Sequence, residues 1–548
     1  MTLALTLAPF LEAVQPGGVP SPSPTPVSPF PAINFPYWWL LSATIWGPVL
    51  LALVMAFIPE VRRRDLRLFY GFAFWTTVGV FLLTLFAYNQ ANQFVPGLQY
   101  EENWPWMPPF GISYHLAADG VSIPLLMVSA LIAVLAVLAS ANVRERPRQY
   151  FVLLLLTEAA VNGTIAAHDL FVLTLFWGAA TLPLALLVWG WGGPRRVRAA
   201  IRLVTYSALG LAALAGAIFV LYAATGGASF DMEYAAKTAL SPRAQFVISV
   251  LLLLAAAVRL PLVPFHGGLR DLFSEAPAGV AVLTAGALSR TGGYLLIRVM
   301  VSDLHDGSRL VAPLAGALAV VTVGYAALVA FRAVDLRRFG AYAALVPGGV
   351  FALGIAGLTP MAVLGSAFQL IAGGLAAALV VAVAAVIAER AQTREMAVLR
   401  GLGPRMPRLG WLLLLGSLAL VGVPGTATFI AELLEFLGSF YTQPGAAFLV
   451  GAGLALVAAA LAWTVQRVLF GRPASDAPGA SDSGLTETWY LGILVAALLW
   501  WGILPGGPKI GGSVVLFDQG IVNVINNSSS DLTSVYAPPD RTAGKPAR

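Results

Sequence analysis

An all-α polytopic membrane protein of about fourteen transmembrane helices is the fold class this sequence predicts, and three observations predict it. Of its 548 residues 58% are hydrophobic and 11% are charged, with a mean hydropathy of +0.81; a soluble chain carries roughly a quarter charged residues. Apolar runs of spanning length recur from near residue 38 to near residue 505, and a helix needs about 20 such residues to cross a bilayer. Between the runs, arginines cluster in every second loop. Lipid offers no partner to open backbone, so the choice lies between helices and a closed barrel, and the alternating pattern of a barrel is missing.

The spans are expected near 38–58, 69–88, 120–140, 150–167, 169–189, 200–223, 244–264, 277–300, 309–331, 338–358, 360–388, 409–430, 446–470 and 488–505, numbered 1 to 14. Arg62, Arg63, Arg64 and Arg67 follow span 1, Arg144, Arg146 and Arg148 span 3, and Arg195, Arg196 and Arg198 span 5. Arg332, Arg337 and Arg338 follow span 9, Arg394, Arg400, Arg405 and Arg408 span 11, and Arg467 and Arg472 span 13. The alternate loops are short or poor in such residues, notably 89–119 with Glu101, Glu102 and Asp119. The positive-inside rule therefore puts both termini on the non-cytoplasmic side, as an even span count requires.

Composition excludes several functions. The net charge of +6 fits this orientation and contact with anionic lipid, and no aromatic-interleaved basic patch points to nucleic acid. Cysteine is absent, which removes disulfides, thiol-ligated metal and bound iron–sulfur clusters. His115, His168, His266 and His305 are scattered without ligand spacing, so no metal and no redox centre is expected in this chain. Residues 1–37, with PSPSPTPVSPFP, read as a proline-rich flexible lead, and 506–548, with NNSSS, as a mostly disordered tail. The span region 38–505 reads as one membrane domain.

Two spans differ from the rest. Span 7 contains Pro261 and Pro264, and span 12 contains GVPGT at 422–426. Proline inside a helix removes a backbone bond and interrupts it. Interrupted helices at matching places in two halves point to inverted repeats. Spans 7 and 12 lie five apart, so the natural partition is spans 4–8, about 150–300, and spans 9–13, about 309–470.

The stretch VRLPLVPFHGGLRDLFSEAPAGVAVLTAGALSRTGGYLLIR at 258–298 resembles the signature of the antiporter-like subunits of respiratory complex I. HLAADGVSIPLLMVSALI at 115–132, NVRERPRQYF at 142–151, AVDLRRFGAYAALV at 333–346 and SLALVGVPGTATFIAELLEFLG at 417–438 are similar to further segments of that family. The likeness is to its subunit M or chain 4 type, which includes the D subunit of cyanobacterial and chloroplast complexes. It implies a membrane-arm subunit of an NAD(P)H- or ferredoxin-driven, proton-translocating quinone oxidoreductase. NAD(P)H or ferredoxin and the quinone would then be used by the complex, with no cofactor bound by this chain. Its partners would be the other membrane-arm subunits, in a bacterial inner membrane or a thylakoid. The alternative is a subunit of a separate Mrp-type cation/proton antiporter or ion-uptake assembly with the same fold.

In that family a row of ionisable side chains crosses the membrane at mid-depth and is thought to relay protons, and such residues are too costly in lipid to be idle. This sequence departs from the row. The span-5 glutamate position is Gly178, in FWGAATLP. The lysines of spans 7 and 8 are Arg259 and Arg290, and the histidines of spans 10 and 11 match Pro347 and Gly373. Only the span-12 glutamate survives, as Glu432, with Glu435 after it.

A buried lysine can drop from about 10.4 toward neutrality and release its proton, whereas arginine stays charged. Lysine occurs only at 237, 509 and 545, so compositional bias accounts for part of the swap, but not for glutamate to glycine. Glu158 in mid-span 4 is a new carboxylate that could pair with Arg259 or Arg290, or be held by Thr157, Asn162 or Thr164. The expected site is Glu432, Arg259, Arg290 and Glu158, as a proton path or charge network, in a chain that is itself a degenerate or a rewired proton channel. Asp119 and His266 are expected to be solvated at helix ends, and Glu435 to face a neighbouring helix or headgroups rather than the path.

Overall fold

The computed structural model describes residues 39–59, 65–91, 98–470 and 481–504; the predicted lead and tail lie outside them. Thirteen helices among the described residues are long and apolar enough to cross a membrane, from Leu40–Phe57 to Leu485–Ile503. Each overlaps a predicted span. Span 12 falls below spanning length because it is two helices, Pro407–Leu420 and Ala427–Phe440.

Burial sorts the helices into a centre and a rim. Ala278–Val301 (span 8) and Pro360–Arg390 (span 11) are buried along their whole apolar windows, and Leu336–Gly357 (span 10) nearly so. Arg67–Gln90, Arg196–Ala224 and Leu485–Ile503 bury about a third, leaving apolar faces for lipid. Between membrane helices close packing replaces the hydrophobic effect, and small residues permit it. At Gly374 of span 11 a Cβ would come within 2.6 Å of the Gly286 carbonyl of span 8.

Both expected interruptions are present. Pro242–Arg259 ends before Pro261, and Gly267–Glu275 resumes the path. The released backbone finds partners: Leu262 N–H donates to the Ala257 carbonyl at 2.8 Å and Val263 N–H to the Thr322 hydroxyl at 3.0 Å. In span 12 the chain turns through Gly422 (φ +61°) and Gly425 (φ +98°), a left-handed backbone open to glycine at little cost. The Thr428 hydroxyl closes that break by donating to the Ala419 carbonyl.

One predicted loop is structured. Within 89–119, Gln99–Met107 (β1) pairs antiparallel with Ile112–Ala118 (β2), placing Trp104 opposite Tyr114 and Asn103 opposite His115. The missed signal was the run of aromatic residues interleaved with polar ones, which suits a half-buried hairpin.

The arginine-bearing loops meet on one face. Arg146 lies 4.7 Å over the Trp191 ring, Gly193 N–H donates to the Glu275 carbonyl at 2.8 Å, and Arg394 pairs with Glu275 at 3.1 Å. Leu336 N–H reaches the Arg394 carbonyl and Leu402 N–H the Val468 carbonyl, each at 2.8 Å. The hairpin lies at the other end, where His168 N–H donates to the His115 carbonyl at 2.8 Å and Met232 N–H to that of His168 at 3.1 Å.

Candidate functional site

Arg259 is the last residue of the first half of span 7 and is 4% exposed. Its guanidinium donates to the Trp177 carbonyl and lies over the Trp177 ring, 4.5 Å from the centroid. Trp177 sits in the last turn before span 5 kinks at Ala180. The charge is thus held by a helix-end carbonyl and an aromatic face instead of a carboxylate. A Cβ at Gly178 would meet Leu211 of span 6 at 3.2 Å, so position 178 looks into a neighbouring helix. Beside Arg259 is a cavity of about 10 Å³, lined in part by Tyr206 and Ser207, about enough for one water.

Arg290 is 1% exposed and stands between two π-helical turns, Thr284–Leu288 and Leu296–Val301. Such turns re-aim side chains and recur at functional sites. Its Nε donates to the Ser289 hydroxyl at 3.0 Å, and one terminal nitrogen has no partner. The side chain crosses span 11 at Gly374, where a Cβ would come within 3.3 Å of its Cγ.

Glu158 is 1% exposed, with both oxygens unpartnered. The ion pair with Arg259 or Arg290 that the sequence suggests is not formed. Nor do its neighbours hold it: Thr157 and Thr164 donate to the Leu153 and Ala160 carbonyls, and Asn162 bonds Thr44 and Ser129.

Glu432 lies in the second half of span 12 with its carboxylate in the helix break. A Cβ at Gly422 would lie 2.2 Å from its Oε2, so the glycine makes the space for it. Glu435, on the same face, is fully buried with both oxygens unpartnered. Its Cγ is pressed against span 10 at Gly354 and span 11 at Gly365, each 2.8 Å from a would-be Cβ. It packs against spans 10 and 11, away from the headgroups.

The structure adds Gln369, which sequence reasoning passed over. It is fully buried, and neither its amide oxygen nor its amide nitrogen has a partner. It lies beside Pro347 and Gly373. A Cβ at Gly373 would touch Pro347 at 2.6 Å and the Gln369 carboxamide carbon at 3.3 Å. Ser366, one turn earlier on span 11, donates to the Ala362 carbonyl at 3.0 Å. Along span 11 the order is therefore Arg290 at Gly374, Gln369, then Ser366 with Glu435 at Gly365, about 13 Å of helix axis. The available signal was a glutamine in an otherwise apolar spanning run.

Asp119 and His266 are not solvated, contrary to expectation. Asp119 is buried at the start of span 3, where its carboxylate accepts from the Val121 and Ser122 N–H groups and pairs with Arg298 at 2.8 Å. Burial opposes its ionisation, but the Arg298 charge and the Ser122 contacts outweigh that and hold it below the usual carboxylate range. His266 is 9% exposed, its ring 5.1 Å from that of Tyr325, and neither ring nitrogen has a partner. Both lie where sequence places helix ends, but neighbouring segments cover them.

At the hairpin end His115 meets Asp231 at 2.5 Å and Glu101 at 3.2 Å, with its ring 4.9 Å from that of His168. Arg298 approaches the other side of His168 at 3.2 Å. No group of three or more metal-ligating side chains occurs among the described residues.

Known proteins share this architecture. A family profile described as NADH:quinone oxidoreductase/Mrp antiporter, TM, matches residues 167–458. A relative named NAD(P)H-quinone oxidoreductase chain 4 1, from Synechococcus sp. strain JA-2-3B'a(2-13), is 35% identical over 469 residues, 84% of this chain and 86% of its own. A chain of respiratory complex I from Thermus thermophilus with bound NADH superposes with a TM-score of 0.78 at 28% identity, covering 88% of this chain and 99% of that one. A chain of the Mrp complex from Dietzia sp. DQ12-45-1b gives 0.75 at 19% identity over 90% and 98%, a likeness of fold alone. With two broken helices, a buried row of charged and amide side chains, and relatives matching along most of its length, this chain belongs to the NADH:quinone oxidoreductase/Mrp antiporter transmembrane family.

Proposed function

We propose that the chain is a membrane-arm subunit of a proton-translocating NAD(P)H- or ferredoxin-driven quinone oxidoreductase, and that it moves protons through its second half. The observation that carries this reading is the Glu432 carboxylate housed in the break of span 12. From it Glu435, Ser366 and Gln369 lead along span 11 to Arg290. Glu432 takes up and releases the proton, and Glu435 and the Gln369 amide hold water between it and Arg290. Arg290 stays charged and sets the potential of the row, since a guanidinium keeps its proton.

The first half has a different part. Arg259 is satisfied by Trp177, and position 178 offers no carboxylate, so this half supplies fixed charge and structure. Glu158 is a buried carboxyl without a counter-ion and stands apart from this route. The two termini lie on the non-cytoplasmic side, the electron donor and quinone are bound elsewhere in the assembly, and its other membrane-arm subunits are the partners. The thylakoid or a bacterial inner membrane is the setting.

The test is purification of the tagged chain in mild detergent with identification of its stoichiometric partners, followed by proton counting per electron pair. Quinone-reductase subunits as partners, and fewer protons in Glu432→Gln at normal assembly, are the expected results. Small antiporter subunits as partners would move the chain to the Mrp-type reading. Unchanged proton counts in Glu432→Gln would make it a structural member of the arm.

A further inference from the structure

The arginine-rich face contains a cavity of about 350 Å³ between the start of Arg196–Ala224, the second half of span 7 and the end of His305–Phe331. Arg195, Arg198, Arg202, Arg270, Arg332 and Arg338 line it, against two carboxylates, Asp271 and Glu275. Both carboxylates are engaged. Asp271 pairs with Arg202 at 2.6 Å and with Arg270, and Glu275 pairs with Arg394 at 3.1 Å and accepts from Arg195 N–H at 3.3 Å. Arg270 is further fixed by the Tyr342 hydroxyl at 3.0 Å. Among the described residues the side chains of Arg195, Arg198, Arg332 and Arg338 make no ion pair, and Asp335, near Arg195, accepts from the Arg337 and Arg338 N–H groups. Six arginines thus face two engaged carboxylates in the lining, and positive charge is in excess there.

We infer that this recess binds the phosphate of an anionic phospholipid. Guanidinium forks match a phosphodiester geometrically, and basic pockets between spanning helices suit acidic headgroups. The choice of a lipid over a free anion rests on the walls. Val329, Ala333 and Val334 form one side, and Val334 is 70% exposed. Next to the recess, Leu328 and Phe331 on one helix and Val197, Ile201 and Val204 on another turn apolar side chains outward. A headgroup in the recess would leave its acyl chains along these strips, as a soluble phosphate would not. The lipid would tie the second half of broken span 7, which carries Asp271 and Arg270, to spans 6 and 9. This site is independent of any proton path.

The test uses the delipidated full chain in neutral detergent, with native mass spectrometry and thermal midpoints read after adding phosphatidylglycerol, phosphatidylcholine, glycerol 3-phosphate or inorganic phosphate. The expected result is a one-to-one phosphatidylglycerol adduct and a raised midpoint, with little effect of the other three. In Arg198→Gln/Arg332→Gln/Arg338→Gln affinity falls about a hundredfold, at roughly a factor of five for each basic group near the anion. Removing three exposed arginines elsewhere on the same face, as Arg144→Gln/Arg400→Gln/Arg408→Gln, leaves the adduct intact. Equal loss in both triple variants would mean diffuse attraction and overturn the site. Protection by inorganic phosphate or glycerol 3-phosphate equal to that by the lipid would overturn the lipid assignment. Should the recess triple variant fail to fold, Arg332→Gln alone is expected to weaken the adduct about fivefold, and no change there would also overturn the site.

Discussion

The Arg259 guanidinium lies 4.5 Å from the centroid of the Trp177 ring and donates to the Trp177 carbonyl, so one residue of span 5 satisfies the charge of broken span 7 from two directions. A buried charge is tolerated only with such partners. Arg259→Gln removes both interactions, and a buried cation–π contact and a charge-assisted hydrogen bond are each worth about 2 kcal/mol. The expected outcome is a lower thermal midpoint in detergent with proton translocation nearly unchanged in the protein that assembles. Proton loss without loss of stability would assign Arg259 to the path.

Glu432 behaves in the opposite way. Glu432→Gln keeps shape and removes the titratable proton, so assembly and midpoint stay as in the wild type while proton translocation falls at least tenfold. Gly422→Ala reaches the same carboxylate from the backbone. Its Cβ would sit 2.2 Å from Oε2, and φ of +61° costs a non-glycine residue about 1–2 kcal/mol. It is expected to lower stability and translocation together.

Gln369 has two buried amide atoms without partners, so an apolar replacement leaves nothing newly unsatisfied. Gln369→Leu is therefore expected to keep or raise the thermal midpoint and to lower proton translocation about tenfold. A full rate in Gln369→Leu alongside loss in Glu432→Gln would leave the carboxylate in place and remove the amide from the route.

The hairpin end predicts opposite pH dependences for two touching histidines. Burial works against a charged His115, but the hydrogen bond and charge of Asp231, with Glu101, outweigh it and raise its pKa. Its contribution to stability is complete below the unfolded value of about 6.5, and it is lost as pH rises through the higher folded value. His168 is pushed down to about 3 by burial, then by Arg298 and His115. Its contribution is complete above about 6.5, and it is lost as pH falls from there toward the folded value. Comparing midpoints at pH 5.5 and 8.5, His115→Gln should destabilise more at the lower pH. His168→Gln should cost more at the higher pH. Equal costs at both values for either variant would disprove its assignment.

Much of the fold is legible in the sequence because membrane helices are specified locally. A spanning run needs only length and hydropathy, so thirteen long helices fall where the apolar runs lie. Prolines and glycines announce the breaks at Pro261 and GVPGT because their backbone limits need no neighbour. The β1–β2 hairpin was less visible. Its strands are short and lie outside the apolar runs, and their pairing joins residues whose contact no local pattern records.

For the site, sequence by itself placed Glu158, Arg259 and Arg290 within apolar runs and Glu432 and Glu435 just past the end of one. It also determined which replacements distinguish this chain from the pattern it resembles, at Gly178, Pro347 and Gly373. Tertiary structure decided their partners. Arg259 turns to Trp177 and not to Glu158, Gln369 lies beside the position that Gly373 leaves small, and Asp119 is covered by Arg298. The physical reason is that lipid fixes the cost of a buried charge along one helix. The group that offsets that cost comes from another helix, and only packing selects it.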